Sequence, residues 1–253
     1  MPRSSILKVE VSTKDTTASV QDYLAAIYDL ASSGKPVIGA RLAKHMSISA
    51  PAVTEAIHRM ARGGYVKIGR GKVLSLSAKG RQIAEVMARR HRLLERWLTD
   101  VLGLDWSRAH DEAHRLEHAL SPVVEERLAE MLGMPSTCPH GNPIPGMPQP
   151  EAHNPMPLSQ ATKGQALVVE RITEEAEADR QLLNFLWESG VRPGSRLTVS
   201  EVAPYAGTIS VLLDGRTVTM GLAASHKIWV YDPQQLTPPG KPARARAARK
   251  VAR

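Results

Sequence analysis

Four histidines and two carboxylates at ligand spacing stand within one short stretch of this sequence, HRLLERWLTDVLGLDWSRAHDEAHRLEH, residues 91–118. His110, His114, Glu117 and His118 sit at i, i+4, i+7 and i+8, so on a helix of 3.6 residues per turn they share one stripe. His91 and Glu95 repeat the i, i+4 step on the preceding helical segment. Imidazole nitrogen with carboxylate oxygen suits Mn, Fe, Ni or Zn, and two packed helices can close a shell around an ion. The competing reading is a solvated polar helix face. Leu93, Leu94, Leu98, Val101 and Leu116 already supply the apolar face that packing needs, which leaves the imidazoles for chemistry. A zinc hydrolase is a second competitor, because His110 and His114 flank a short acidic run. That motif needs Glu directly after the first His as general base; here Asp111 holds the place and Glu112 lies one further on.

The elements that must carry these groups are helical. A long helix is expected from Ala78 to Asp100, a break at Gly103-Leu104-Asp105, then the ligand-rich helix to about Leu120. Ser121-Pro122 reads as N-cap and first position of a further helix to Leu132. Trp97, Leu98, Val101 and Leu128 are expected on the outer surface of these helices as a dimer face.

Ahead of this lies a different module. Residues 1–17 show no period, and a helix is predicted from Ser19, with Val20, Tyr23, Leu24, Ile27, Tyr28 and Leu30 as its apolar stripe and Asp22 off it. A short helix, Gly39 to Met46, a turn of about four residues, and a second helix capped by Ser49 follow. In that second helix Val53, Ala56, Ile57 and Met60 face inward, and Ala52, Glu55 and Arg59 face out beside Ser49 and Pro51. This is a helix-turn-helix. Two β-like runs joined by Gly69-Arg70-Gly71-Lys72 add a basic wing. In a winged helix-turn-helix, Ser49, Pro51, Ala52 and Glu55 approach base edges, and Arg59, Arg62, Arg70 and Lys72 meet phosphates. Charge agrees: of a net +8, residues 1–80 hold 12 basic and 5 acidic side chains, whereas residues 81–240 hold 15 and 20. Such asymmetry points the first module toward a polyanion.

Residues 134–160 carry eight prolines and no hydrophobic period, so an extended linker is expected, with Cys138-Pro139-His140 as two ligand types at i, i+2. From Ala161 short strands predict a five-stranded SH3-like barrel, with a helix from Glu177 to Ser189 and a hairpin turn at Asp214-Gly215. The tail KPARARAARKVAR is basic and of low complexity. The expected division is therefore 1–78 DNA-binding, 79–133 helical, 134–160 linker, 161–236 small β domain and 237–253 tail. The fold class is mostly α with small β. No run approaches the ~18 apolar residues of a membrane span, the first residues lack a secretory h-region, and the single Cys138 forms no internal disulfide; together these place the chain in the cytoplasm, away from membranes.

In this order of modules, and in HRLLERWLTDVLGLDWSRAHDEAHRLEH, SPVVEERL and GNPIP (141–145), the chain resembles the diphtheria-toxin-repressor and manganese-transport-regulator family. The resemblance implies a homodimeric repressor that binds palindromic operator DNA when Mn(II) or Fe(II) fills its sites, with a FeoA-like C-terminal domain. By resemblance the primary site is Asp22, His114, Glu117 and His118. The second draws on His91, Glu95 and His110, or, as in some manganese sensors, on Glu95, Cys138, His140 and Asp179. Iron-sensing members have Met and Cys where this chain has Asp22 and His114. The harder shell favours Mn(II) and leaves Fe(II) as the alternative.

Overall fold

The computed structural model describes residues 16–149, 153–177 and 179–234. The first fifteen residues and the basic tail lie outside the described residues.

Helix α1 (Ala18–Ser32) begins at Thr17, whose hydroxyl accepts from the Val20 amide. Helices α2 (Gly39–Met46) and α3 (Ala50–Arg62) are joined by Ser47 in the left-handed conformation, φ 54°, and Ser49 as N-cap. Strands β1 (Val66–Ile68) and β2 (Leu74–Leu76) pair antiparallel as the wing, with a 3-10 turn at its tip. Leu24, Ile27, Leu42, Val53, Met60 and Ile83 close one core beneath these elements. The predicted alternation of inward and outward residues on α1 and α3 is what fills it.

Helix α4 (Ala78–Asp100), capped by Ser77, runs from this module into the next. Its start is pressed against the wing: a Cβ on Gly80 would stand 2.1 Å from the Tyr65 carbonyl oxygen, so only glycine fits. Helices α5 (Trp106–Leu116) and α6 (Pro122–Met131) begin at Asp105 and Ser121, each accepting a backbone N–H three residues on. The second core holds Leu93, Leu94, Leu98, Ala109, Ala113, Leu128, Ile144 and Met147. Two expectations change here. Leu98 and Leu128 are packed inside, and the large apolar side chains left outside on this module are Val101, Leu102, Val123, Val124, Met131 and Leu116, the last expected on the packed face. Residues 134–149 are also no free linker. Ile144 and Met147 are buried in the helical core, and Arg92 and Arg96 donate to the Pro143 and Thr137 carbonyls. Proline density signalled irregular backbone, not exposure.

The last module is one antiparallel sheet of six strands. Strands β3 (Met156–Pro157), β4 (Ala166–Ile172), β5 (Arg196–Ala203), β6 (Thr208–Leu213), β7 (Arg216–Gly221) and β8 (Ile228–Tyr231) are ordered β3-β8-β4-β5-β6-β7. The added sixth strand is the two-residue β3, contributed by the proline-rich stretch. Asp214 and Gly215 turn β6 into β7 with φ of 48° and 76°, the positive values that an Asp-Gly hairpin supplies. The expected helix over 177–189 is instead two pieces, α7 (Glu174–Glu177) and α8 (Arg180–Ser189), and Asp179 caps the second by accepting from the Leu182 amide at 3.1 Å. A short α9 (Leu222–Ser225) precedes β8. Trp106 of α5 is buried in this domain's core and meets Trp187 edge to face, which keys the helical module to the sheet. Among the described residues no helix is long and apolar enough to cross a membrane.

Candidate metal centre

The ligand-type side chains of the sequence converge from four places: α1, α4, α5 with the turn after it, and the chain from Cys138 to α7. Helix α5 ends at Leu116, so Glu117 and His118 stand on its C-cap and the following turn. Because Glu117 keeps helical dihedrals, φ −59° and ψ −34°, the expected stripe survives the helix end.

In the first cluster His118 reaches across to α1. Its Nε2 lies 2.8 Å from Asp22 Oδ1 and 3.7 Å from Glu117 Oε1. Its Nδ1 lies 2.9 Å from Gln21 Oε1, which can only accept, so Nδ1 is the donor there and Nε2 is the ring nitrogen that faces Asp22. His114 Nδ1 approaches Glu117 Oε1 at 3.1 Å, and His91 Nδ1 approaches Glu117 Oε2 at 2.6 Å. Ligand atoms of Asp22, Glu117 and His118, and again of His91, His114 and Glu117, all lie within 4.8 Å of one another. Burial pushes the Glu117 carboxyl up, but hydrogen bonds from His114 and His91 outweigh it and bring its pKa to about 2. The hydrogen bond to Glu117 raises His114 in turn.

The second cluster surrounds Glu95, which is fully buried. Its Oε1 lies 3.1 Å from His91 Nε2 and 3.0 Å from His110 Nδ1. On its other side His140 Nδ1 stands 3.5 Å from Glu95 Oε2, 3.1 Å from Glu177 Oε1 and 3.9 Å from Cys138 Sγ. Burial raises the Cys138 thiol. It pulls the imidazoliums of His91 and His140 down, but Glu95, with Glu117 beside His91 and Glu177 beside His140, holds both well above the ordinary histidine range. Glu95 is held well below the usual carboxylate range by His91 and His140, against the effect of burial. Imidazoles gripping buried carboxylates, with Glu95 Oε2 buried and making no hydrogen bond, are a donor set that fits a divalent cation.

Nine of the ten predicted ligands are thus brought together, in two clusters joined by His91. Asp179 is not among them. Its carboxylate caps α8 and faces Lys227 Nζ at 3.8 Å, and Glu177, two residues earlier, holds the place instead. Glu177 ends α7, whereas Asp179 is the N-cap of α8, which commits its carboxylate to that helix. Glu177 and Gln21 are the residues that sequence reasoning missed. The i, i+3 spacing of Glu174 and Glu177 was a signal for the first, whereas nothing in the sequence marks Gln21.

All eight residues expected to face DNA, Ser49, Pro51, Ala52, Glu55, Arg59, Arg62, Arg70 and Lys72, are exposed on α3, its start and the wing tip. Glu55 and Arg59 face each other at 3.8 Å. Thr54 and His58, not singled out from sequence, share the outer face of α3.

Residues 15–72 match the model of the iron-dependent repressor N-terminal DNA-binding domain. Residues 77–146 match the iron-dependent repressor metal-binding and dimerisation domain, and residues 156–232 the FeoA domain. Over 226 residues the chain is 38% identical to the iron-dependent repressor IdeR of Mycobacterium tuberculosis, across 85% of this chain and 96% of that protein. The chain belongs to the diphtheria-toxin-repressor family of metal-dependent transcriptional repressors. The diphtheria toxin repressor of Corynebacterium diphtheriae is 32% identical over 227 residues, 87% of this chain and 99% of that one. A solved manganese-dependent transcriptional repressor in complex with manganese is 37% identical, spans 84% of this chain and 99% of its own, and superposes with a TM-score of 0.75. Family membership accounts for the order of modules.

Proposed function

We propose that this repressor is a homodimer that binds palindromic operator DNA when loaded with Mn(II) and silences metal-homeostasis genes such as those of metal uptake, in the cytoplasm. The observation that carries the reading is the 2.8 Å approach of His118 Nε2 to Asp22 Oδ1. Asp22 belongs to the first helix of the DNA-reading module and His118 to the turn after α5 in the helical module, so the cluster spans the two. Asp22, His114, Glu117 and His118 would hold the primary ion, and Glu95, His91, His110, Cys138, His140 and Glu177 the second centre. A bound cation there supplies charge that lets carboxylates and neutral imidazoles from separate modules converge without repulsion. Gln21 orients His118, and Glu117 is aligned by His91 and His114. If that arrangement presents α3 and the wing to DNA, metal raises operator affinity, and DNA raises metal affinity by the same factor.

The oxygen of Asp22, in place of a softer thioether, favours Mn(II); the iron-dependent relatives keep Fe(II) as the second reading. Val101, Leu102, Val123, Val124 and Met131, left exposed on one module, are proposed as the dimer face. Asp111 faces Arg180 at 3.2 Å and Glu112 pairs with Arg115, so both acidic residues between His110 and His114 are engaged by arginines.

The test is operator binding by chelator-stripped protein with and without added Mn(II) or anaerobic Fe(II), alongside Asp22→Ala. Metal-dependent binding that Asp22→Ala abolishes while the dimer persists is expected. Equal binding with and without metal would reject the reading.

A further inference from the structure

The two candidate donor sets for the second centre, His91-Glu95-His110 and Glu95-Cys138-His140, read from the sequence as alternatives. In the folded chain both are assembled at once, on opposite oxygens of one carboxylate. Glu95 Oε1 forms a triangle with His91 Nε2 and His110 Nδ1 whose edges are 3.1, 3.0 and 3.1 Å. Glu95 Oε2 faces the other set, in which His140 Nδ1 is 3.5 Å from it, 3.1 Å from Glu177 Oε1 and 3.9 Å from Cys138 Sγ. Bonds of about 2.0–2.3 Å to nitrogen, oxygen and sulfur put the donors of one shell roughly 3–4 Å apart, which is the spacing in both sets. Glu177 belongs to both groups of mutually close ligand atoms. Glu95 Oε2 is buried and makes no hydrogen bond, with His140 Nδ1 standing 3.5 Å away, so this half of the carboxylate is less fully satisfied than Oε1.

We propose that Glu95 bridges two divalent cations, one held by His91, His110 and Glu95 Oε1, the other by Cys138, His140 and Glu95 Oε2, with Glu177 closing the pair. The inference rests on the metal-dependent reading above and sets its stoichiometry at three ions per chain, one at Asp22 and two at Glu95. The two pockets differ in softness. The first offers two imidazoles and oxygen; the second adds a thiolate and would hold softer ions more tightly. Binding in the second pocket releases the Cys138 proton to solvent, because the thiolate is the ligand.

The experiment uses the full chain stripped with chelator and dialysed against Mn(II). Three ions per chain, with an electron paramagnetic resonance signal of an exchange-coupled Mn(II) pair, is the expected result. Two ions per chain with only isolated Mn(II) signals would overturn it. His110→Ala and Cys138→Ser should each abolish the coupled signal and lower the count from three, and a variant that keeps three ions and the coupled signal overturns the bridge. Glu95→Gln should leave one ion; because a buried carboxylate is lost there, the wild-type spectrum decides if that variant does not fold. Operator binding on the same samples separates the two conclusions. Mn(II)-dependent binding with two uncoupled ions refutes the bridge alone, whereas binding indifferent to Mn(II) refutes the repressor reading itself.

Discussion

Replacing Arg92 with methionine should separate the modules in a pH-dependent way. The Arg92 side chain, 7% exposed, is held at one point by three parts of the chain. Its Nη2 lies 2.9 Å from Asp29 Oδ1 on α1 and 2.8 Å from Glu174 Oε1 on α7, and its Nη1 donates to the Pro143 carbonyl at 2.6 Å. Methionine restores the stem and removes the charge, leaving two carboxylates without their cation. Breaking a buried pair from one side costs about 3–5 kcal/mol. Burial already raises Asp29 to about 7 and raises Glu174, and in both cases Arg92 is the principal opposing influence. Without it both rise further. A carboxyl whose folded pKa exceeds its unfolded one destabilises fully above the raised value, and the penalty fades as pH falls through it toward the ordinary range. Each pH unit between those values relieves about 1.4 kcal/mol per group. At pH 8 the variant should therefore melt about 6–20 °C below the wild type, at 2–4 °C per kcal/mol for a chain of this size. At pH 5 most of the gap should close. Calorimetry of the metal-free proteins at the two pH values measures it; a deficit equal at both, or under about 1 kcal/mol at pH 8, would refute the electrostatic account.

Metal binding must displace the protons that His91 and His140 hold tightly, so Mn(II) affinity should fall as pH drops through their raised pKa range. Titration calorimetry in buffers of different ionisation enthalpy should report proton release, and a heat independent of buffer would count against it. In the metal-free chain the same two histidines stabilise the fold fully below their ordinary 6.5, and that contribution disappears as pH climbs through the raised values. Gly141→Ala should damage the Cys138–His140 turn. At φ 87° a Cβ would stand 2.3 Å from the Glu170 carbonyl oxygen, and strain with overpacking together cost about 2–6 kcal/mol. A thermal melt indistinguishable from wild type would contradict that. Arg41 on α2 pairs with Glu175 on α7, with side chains 23% and 30% exposed, which ties the helix-turn-helix to the sheet domain. Arg41→Glu should weaken Mn(II)-dependent operator binding about 2–5-fold, the worth of a partly exposed pair, and the exchanged pair Arg41→Glu with Glu175→Arg should restore it in an anisotropy assay. Failure of the exchange to restore binding would rule the tie out.

Much of this protein could be read from local rules. The alternation of α1 and α3, the caps at Ser77 and Ser121, and the Asp-Gly turn act over a few residues, and each element lies where those residues put it; Ser49 holds the N-cap position of α3 without a side-chain hydrogen bond. The spacing of His110, His114, Glu117 and His118 likewise needed only the helical period, which is why the ligand stripe was visible without a fold. What spacing could not decide is what meets across the chain. Leu98 and Leu128 have the same apolar character as Val123 and Met131, and only the packing of α4, α5 and α6 separates core from surface. The proline-rich stretch forms no periodic element, so its Ile144 and Met147 gave no sign of burial. Glu177, at the end of α7, takes the place expected of Asp179 because Asp179 is committed as the N-cap of α8. Glu95 serves both donor sets because its two oxygens face opposite ways in a closed interior, and that is a property of three modules folded together, which no pattern along one of them encodes.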